Sequence, residues 1–414
     1  MQRLLRLRRY AVAMAATLTA CDTPGVTLVD PDVAGDKDRS LTVTVRLEDS
    51  TLAQALGWSQ GVPDAQVFLS RIGDEFDPIT LVTDSTGTVV LHTFLPGQYR
   101  MAAHRVLREN ETGPTDGVVR AFGDGGKFWV APPKVLEFTL QMDQAGSVVI
   151  SEMQQFGRFA PDEPFSDYKW YLYFELHNNS DSTIYLDGML WGWVWGAARE
   201  YTPYPCAVTK PFREDPLGLW ANYIHRFPGS GNDYPLTPGQ TVVVALDAVD
   251  HSIVHPNLPD LSHADFELEG SADADNPDVP NLPEVGPDHF FRGHGVEPSR
   301  HAPLFLAQPL DLSALVQQRD PFWGSDWVRI PTESVLDVAT FATWLPTTDQ
   351  IAAYCAQYVP HFLDRLEARS GYDAGLTAQR RALRVAKGLV RLQDLNVSFL
   401  DFYEAERTPG WIEY

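Results

Sequence analysis

The chain has 414 residues, of which 44% are hydrophobic, 11% aromatic and 21% charged. This composition is sufficient for packed cores and excludes a mainly disordered protein. Asp and Glu number 55 against 32 Lys and Arg, a formal charge of −23 that repels phosphate backbones and argues against nucleic-acid binding.

Residues 1–20 have the composition of a secretory signal sequence. Four Arg and no acidic residue lie among the first nine, and residues 10–20 form an apolar run about half as long as the ~20 residues needed to span a bilayer. Residues 18–21, Leu-Thr-Ala-Cys, resemble the lipobox of bacterial lipoproteins. That resemblance implies cleavage before Cys21 and a diacylglycerol on its thiol. The alternative is an ordinary cleaved signal with an incidental cysteine.

The predicted lipid anchor determines the expected location. We expect a cell-envelope protein held by acyl chains, with the outer membrane favoured and either a periplasmic or a surface orientation. Asp22 resembles an inner-membrane retention signal in some bacteria, so the choice of membrane stays open. Cys206 and Cys355 are the other two cysteines, and outside the cytoplasm they either form a disulfide or remain two buried thiols.

A flexible tether is predicted for residues 21–40, which are rich in Asp, Pro, Gly and Ser and have no apolar period. After it, apolar and polar residues alternate with period two in residues 41–47, 65–71 and 89–94, with turn signals between them. Short strands at this spacing indicate an antiparallel β-sandwich.

Three motifs in this region carry a family resemblance. They are Gly-Val-Pro-Asp-Ala-Gln-Val-Phe-Leu at 61–69, Thr-Asp-Ser-Thr-Gly at 83–87 and Leu-Pro-Gly-Gln-Tyr-Arg at 95–100. Their order resembles the carboxypeptidase-regulatory-like, transthyretin-like domains over residues 41–142. The resemblance implies an immunoglobulin-like sandwich of seven strands and brings no catalytic residues with it.

A second unit is predicted for residues 147–414. An apolar strand that ends in Glu-Leu-His-Asn at 175–178, and the later Leu-Gln-Asp-Leu-Asn-Val-Ser-Phe-Leu at 392–400, resemble the opening and the close of lamin-tail-like β-sandwiches. A loop-rich insertion is expected at about 197–345. The whole arrangement resembles an uncharacterised bacterial surface lipoprotein family that joins the two domain types. The predicted fold is mainly β, two consecutive immunoglobulin-like sandwiches, with one or two short helices within residues 348–367.

Trp191, Trp193 and Trp195 alternate along one predicted strand and therefore share one face. If that face is exposed, the three indoles form a ligand platform for sugar rings or a flat apolar molecule. If it is buried, they belong to the core. Burial is the favoured interpretation, because burying each indole ring removes a large apolar area from water.

Seven of the 11 histidines lie between residues 225 and 301, with aspartates interleaved. Imidazole and carboxylate together form a transition-metal ligand set, although no spacing fixes two ligands on one helix. The candidate metal ligands are Asp247, Asp250, His251, His255 and His263. Residues 273–278, Asp-Ala-Asp-Asn-Pro-Asp, offer alternate carboxylates for Ca²⁺ but lack the Gly and distal Glu of an EF-hand loop.

Catalytic motifs are not recognisable: there is no nucleophile elbow, no P-loop and no dinucleotide fingerprint in the required context. We therefore expect a binding or assembly protein that has no catalytic activity and no cofactor and is attached to the membrane through acyl chains. Its expected partner is an outer-membrane β-barrel transporter, to which it would be accessory, or a ligand at the cell surface. The alternatives are a metal-binding or metal-acquisition lipoprotein that uses residues 225–301, and an unrecognised hydrolase.

Overall fold

The computed structural model describes residues 39–71, 79–112, 119–131, 133–144, 146–154, 168, 170–194, 212, 215–269, 275–287, 301–319, 326–342, 368–369, 376–386 and 388–412. The fold is mainly β and built from packed sheets, so the predicted fold class is confirmed. Within the described ranges, no helix is long and apolar enough to cross a membrane. Cys21, Cys206, Cys355 and the helix expected within 348–367 lie outside the described residues.

The first unit has seven strands and two short helices. They are β1 (Leu41–Leu47), α1 (Ser50–Ala55), β2 (Gln66–Arg71), β3 (Ile79–Val82), β4 (Thr88–Leu91), β5 (Gly97–Val106), α2 (Glu109–Thr112), β6 (Val119–Val130) and β7 (Lys134–Gln144). The strands are hydrogen-bonded in the order β3-β2-β5-β6-β7-β1-β4. Only the β1–β7 pair is parallel among these described pairings.

Period-two alternation places the core of the first unit. Leu41, Val43 and Val45 of β1 are fully buried, and the polar residues between them are not. They pack with the inward side chains of β2 and β5, such as Val67 and Met101. The strand predicted at 41–47 is therefore confirmed, whereas the strand predicted at 89–94 is the shorter β4, which ends at Leu91 before the connection to β5.

The second unit contains the remaining strands. They are β8 (Val148–Gln154), β9 (Tyr173–Asn178), β10 (Ile184–Tyr185), β11 (Leu190–Val194), β12 (Gly218–Arg226), β13 (Pro235–Leu236), β14 (Thr241–Ala245), β15 (Phe266–Leu268), β16 (Asn281–Leu282), β17 (His301–Ala307), β18 (Gln317–Arg319), β19 (Asp326–Pro331), β20 (Val335–Ala342), β21 (Ala368–Arg369), β22 (Leu376–Arg380), β23 (Ala382–Ala386), β24 (Leu389–Leu392) and β25 (Phe402–Glu406). One short helix, α3 (Ser398–Asp401), precedes β25.

Two large sheets form this unit. One has the order β18-β19-β12-β11-β17-β20-β21 and the other β16-β15-β14-β9-β8-β22-β25, and β10–β13 and β23–β24 are separate pairs. The main core contains inward residues of both sheets, including Leu176 and Val244 from one and Leu304 and Leu306 from the other. Residues 197–345, where the sequence suggested an insertion rich in loops, contribute β12, β14, β17, β19 and β20 to these sheets.

A buried ionic network surrounds Arg380 at the end of β22. Its guanidinium lies 2.5 Å from Asp337, 3.5 Å from Asp394 and 3.9 Å from Asp401, and its Nε donates to the carbonyl of Ile150 at 2.7 Å. Burial raises the pKa of Asp337 to about 7, against the opposing effect of Arg380. Since three carboxylates share one cation, a proton on Asp337 reduces the negative charge left inside the protein.

The same network connects the two units. Asp394 accepts a hydrogen bond from the Gly146 amide at 2.7 Å, in the link between β7 and β8. Leu395, Val397 and Leu400 follow Asp394 in the chain and form one buried cluster with side chains of β2 and β5. The charged interior of the second unit therefore orders the segment that packs on the first.

We predict that Arg380→Leu lowers the free energy of unfolding by about 3–5 kcal/mol, because it leaves uncompensated carboxylates in the interior. Urea denaturation of the variant and the parent protein gives this difference. Arg46→Leu is the matched control: Arg46 lies 3.1 Å from Glu137 on an exposed part of β1, and losing such a pair costs about 0–1 kcal/mol. Similar losses in the two variants would contradict the role assigned to the network.

Candidate functional site

Four aromatic rings lie together on β11 and β12. Trp191 pairs with His225 and Trp193 pairs with Tyr223 across the two strands, so all four side chains share one face. Ring centroids are 5.3 Å apart for the two tryptophans, 4.8 Å for Trp193 and Tyr223, 5.0 Å for Tyr223 and His225, and 5.8 Å for Trp191 and His225. We call this group the four-ring cluster.

Glycine at position 192 permits the close approach of these strands. A Cβ atom on Gly192 would lie 2.2 Å from the carbonyl oxygen of Tyr223, which is shorter than real Cβ contacts allow. The Trp-Gly-Trp order of β11 thus combines two large rings on the inward face with no side chain on the other. A larger residue at 192 would force β11 and β12 apart.

The four-ring cluster faces the interior between the two sheets. Trp191 is buried and stacks on Phe174 of the opposing sheet, with centroids 4.2 Å apart and planes at 3°. Trp193 is half-buried, and Trp195 lies outside the described residues. The interpretation of an exposed ligand platform is therefore wrong for Trp191, because its ring gains more from packing against Phe174 than it would in water.

Within the part of the chain that the structure describes, three polar atoms of the four-ring cluster are buried without a hydrogen-bond partner: Nε1 of Trp191, Nε1 of Trp193 and Nε2 of His225. Nδ1 of His225 donates to the carbonyl of Leu282 at 2.8 Å, so Nε2 is the acceptor of a neutral ring. Burial lowers the pKa of His225 to about 4. Two N–H donors and one acceptor beside aromatic rings suit a water molecule or a hydroxyl group.

The candidate metal ligands are used in other ways. His251 is buried, and its Nδ1 accepts from the Tyr168 hydroxyl at 2.7 Å while its Nε2 donates to the carbonyl of Asp247 at 2.9 Å. Asp250 accepts from the Ser252 amide at 2.9 Å and caps a turn of 3₁₀ helix that begins at residue 251. Both ring nitrogens of His251 are therefore occupied by the protein itself.

The other candidates do not complete a metal site. His255 Nδ1 accepts from the Asn257 amide at 3.2 Å, and His263 is exposed. Over the ranges that the structure describes, no group of three or more His, Cys, Asp or Glu side chains is arranged to hold a metal ion. In the acidic segment 273–278, Asp275 accepts from the Asn281 side chain at 2.7 Å, and residues 273 and 274 lie outside the described residues.

A buried pair of glutamates was not foreseen from the sequence. Glu152 on β8 and Glu175 on β9 are cross-strand partners, and both are buried. Glu152 accepts from the Tyr173 hydroxyl and from Thr408 Oγ1 at 3.0 Å, and Glu175 accepts from the Gly410 amide at 2.6 Å. Burial raises the pKa of both carboxyl groups.

These glutamates fix the C-terminal segment to the sheet. Their partners Thr408 and Gly410 belong to the chain after β25, which covers the face of β8 and β9 opposite the main core. Strands that are buried on both faces lose the polar and apolar alternation from which facing is predicted. The available signal was a single glutamate inside each of two strand-forming segments.

Comparison with known proteins shows a likeness of fold. A DUF4876 family protein from Bacteroides thetaiotaomicron, known from a crystal structure, is 16% identical over 88% of this chain and 94% of that chain, with a TM-score of 0.51. A DUF3823 family protein from Parabacteroides merdae is 10% identical over 65% of this chain and 90% of that chain, with a TM-score of 0.15. No family model and no curated protein matches the sequence.

The similarity to the DUF4876 family protein is one of overall architecture. The first similarity extends over nearly the whole of both chains, so it supports a common β architecture for both units. At this identity it shows the fold and no activity.

We predict that His225→Gln reduces the acid sensitivity of the protein. A histidine whose pKa falls from about 6.5 in the unfolded chain to about 4 in the fold contributes stability above pH 6.5 that is lost as the pH falls toward 4. The parent should therefore lose about 1.4 kcal/mol more per pH unit in this window than the variant.

Urea denaturation at several pH values between 6.5 and 4 gives the two slopes. Comparing slopes removes both the fixed cost of the substitution and the contribution of carboxyl groups such as Glu267, whose pKa burial raises to about 7 and which act in the opposite direction. Ser59→Gln, at an exposed position without an ionisable side chain, is the control and should keep the parent slope. Equal slopes for parent and His225→Gln would contradict a buried neutral imidazole.

Proposed function

We propose that this chain is a lipid-anchored binding or assembly protein of the cell envelope that does not catalyse a reaction. The observation that carries the proposal is how the buried ionisable groups are used. Arg380 and its aspartates join β20, β22 and the link to the first unit, and the two glutamates hold the C-terminal segment. Catalytic groups instead converge on a space that admits a substrate.

The anchor is proposed from the lipobox-like residues 18–21, and the tether from the twenty residues that include Cys21 and precede β1. An acylated protein that does no chemistry acts through contact with its neighbours in the same envelope. We therefore propose an outer-membrane β-barrel as the partner.

Cys21→Ser should release the protein from membranes, because the serine oxygen cannot form the thioether that holds the diacylglycerol. Cell fractionation is expected to move the variant to the soluble fraction, and intact mass measurement should show the loss of the acyl groups. Cys206→Ser is the matched control and should remain in the membrane fraction. A Cys21→Ser protein that stays membrane-bound would overturn the anchor.

The partner is tested by crosslinking in the native membrane followed by purification of the lipidated protein. We expect a membrane β-barrel in near-stoichiometric amount from the parent and a strong reduction with Cys21→Ser. Equal recovery from the two proteins, or turnover of glycan or peptide substrates by the purified parent, would count against a non-catalytic accessory protein.

A further inference from the structure

One end of the first unit is where the chain enters the fold. Arg39 forms an isolated backbone β-bridge with Thr93 there. The first residue of β1, Leu41, pairs with both Leu91 and Lys134. The start of β1, the end of β4 and the start of β7 therefore coincide. We call this region the tether end, because the residues between Cys21 and the fold lead directly to it.

The tether end carries exposed apolar side chains. Val90, Leu95, Trp129 and Val135 expose 41%, 53%, 65% and 74% of their surface. Val90 and Val135 are both register partners of Thr42, so they flank it on the face of these strands that is turned away from the buried Leu41 and Val43. Exposure of this size is unusual for large apolar residues that lie together at one end of a sandwich.

The other two residues extend this surface around the tether end. Trp129 is the residue before the last of β6 and pairs with Gln98 of β5. Leu95 lies in the connection from β4 to β5, and its carbonyl accepts from the Tyr99 hydroxyl at 2.9 Å, which fixes that turn. Apolar groups therefore border the tether end on β4, β6 and β7 and on the connection from β4 to β5.

The chain outside the described fold indicates what covers this surface. Cys21 precedes Arg39 by 18 residues. The composition of residues 21–40 predicts a flexible coil, and 18 residues of such a coil would span about 25 Å (root mean square), so a lipid on Cys21 would keep the tether end close to the bilayer surface. Tryptophan is the side chain that favours the membrane–water interface most, and Trp129 is the most exposed aromatic residue of this end.

The second unit lies at the other end of the same strand. β7 begins beside the tether end at Lys134 and runs eleven residues to Gln144, which corresponds to about 36 Å. The link at Gly146 then joins the Arg380 network. A contact between the tether end and a membrane would therefore leave the second unit directed away from the lipid.

We propose that the tether end is a membrane-docking surface, in which Trp129, Val135, Val90 and Leu95 rest in the headgroup region of the bilayer that carries the anchor. This inference rests on the proposed lipid anchor, and it adds a fixed orientation: the first unit stands on the membrane instead of moving freely on its tether.

Fluorescence quenching on vesicles tests the contact. The chain from residue 22 is given an N-terminal hexahistidine segment and bound to phosphatidylcholine vesicles that contain a nickel-chelating lipid, with or without brominated acyl chains. Bromine quenches indole emission only at short range, so the parent should be quenched by the brominated vesicles. Trp129→Phe should lose most of this quenching.

Trp411→Phe is the matched control, because Trp411 is 64% exposed but belongs to the second unit, and its removal should leave the bromolipid quenching unchanged. Val135→Ser should weaken the quenching of Trp129 without changing the folded state, which circular dichroism checks. Absence of quenching, or equal quenching in the Trp129 and Trp411 variants, would overturn the proposal. Loss of quenching that accompanies dimer formation would show that a second copy of the chain covers this surface. That result would also overturn the proposal.

The vesicle experiment does not depend on natural acylation, because the histidine segment supplies the tether. A bare Cys21 thiol in native material would overturn the anchor and leave the vesicle result standing as a property of the surface. Acylated Cys21 with no quenching of Trp129 would retain the anchor and refute docking. The two failures are therefore distinguishable.

Discussion

The enclosure of one guanidinium by three carboxylates determines how the parts of this molecule are arranged. Arg380 binds Asp337 of β20 and the backbone of β8, so it holds strands of both large sheets, and it also binds Asp394 and Asp401 beyond β24. Replacing Arg380 is strongly destabilising, because it leaves the carboxylates around it buried without a compensating positive charge. The segment that it orders is the one that carries the contact between the units.

Local pattern predicted the first unit better than the second. β1 reads as alternating Leu, Val and Val because one face meets the core, and its bounds follow from the sequence alone. β8 and β9 are buried on both faces. A glutamate in a strand is normally predicted to face solvent, but Glu152 and Glu175 are both buried. The residues that cover these glutamates follow β25. They are too far along the chain for a local sequence pattern to predict the contact.

The candidate site shows the same limit. Alternation placed Trp191 and Trp193 on one face, and it could not say that Phe174 lies opposite. Histidines of the segment that suggested metal binding form hydrogen bonds with other groups of the protein. His251 is bonded to the Tyr168 hydroxyl and a backbone carbonyl, and His225 is bonded to the carbonyl of Leu282. Composition identifies a ligand set, but convergence of three ligands depends on pairing between distant strands, which composition does not contain.

One buried cluster contains Phe68 and Ala102 of the first unit together with Leu395, Val397 and Leu400, which come from the opposite part of the chain. Translation proceeds from the amino end, so the strands of the first unit are made before the segment that covers this part of β2 and β5. A chain interrupted before residue 395 would leave Phe68 and Ala102 uncovered. Apolar surface that is exposed in an incomplete chain promotes aggregation.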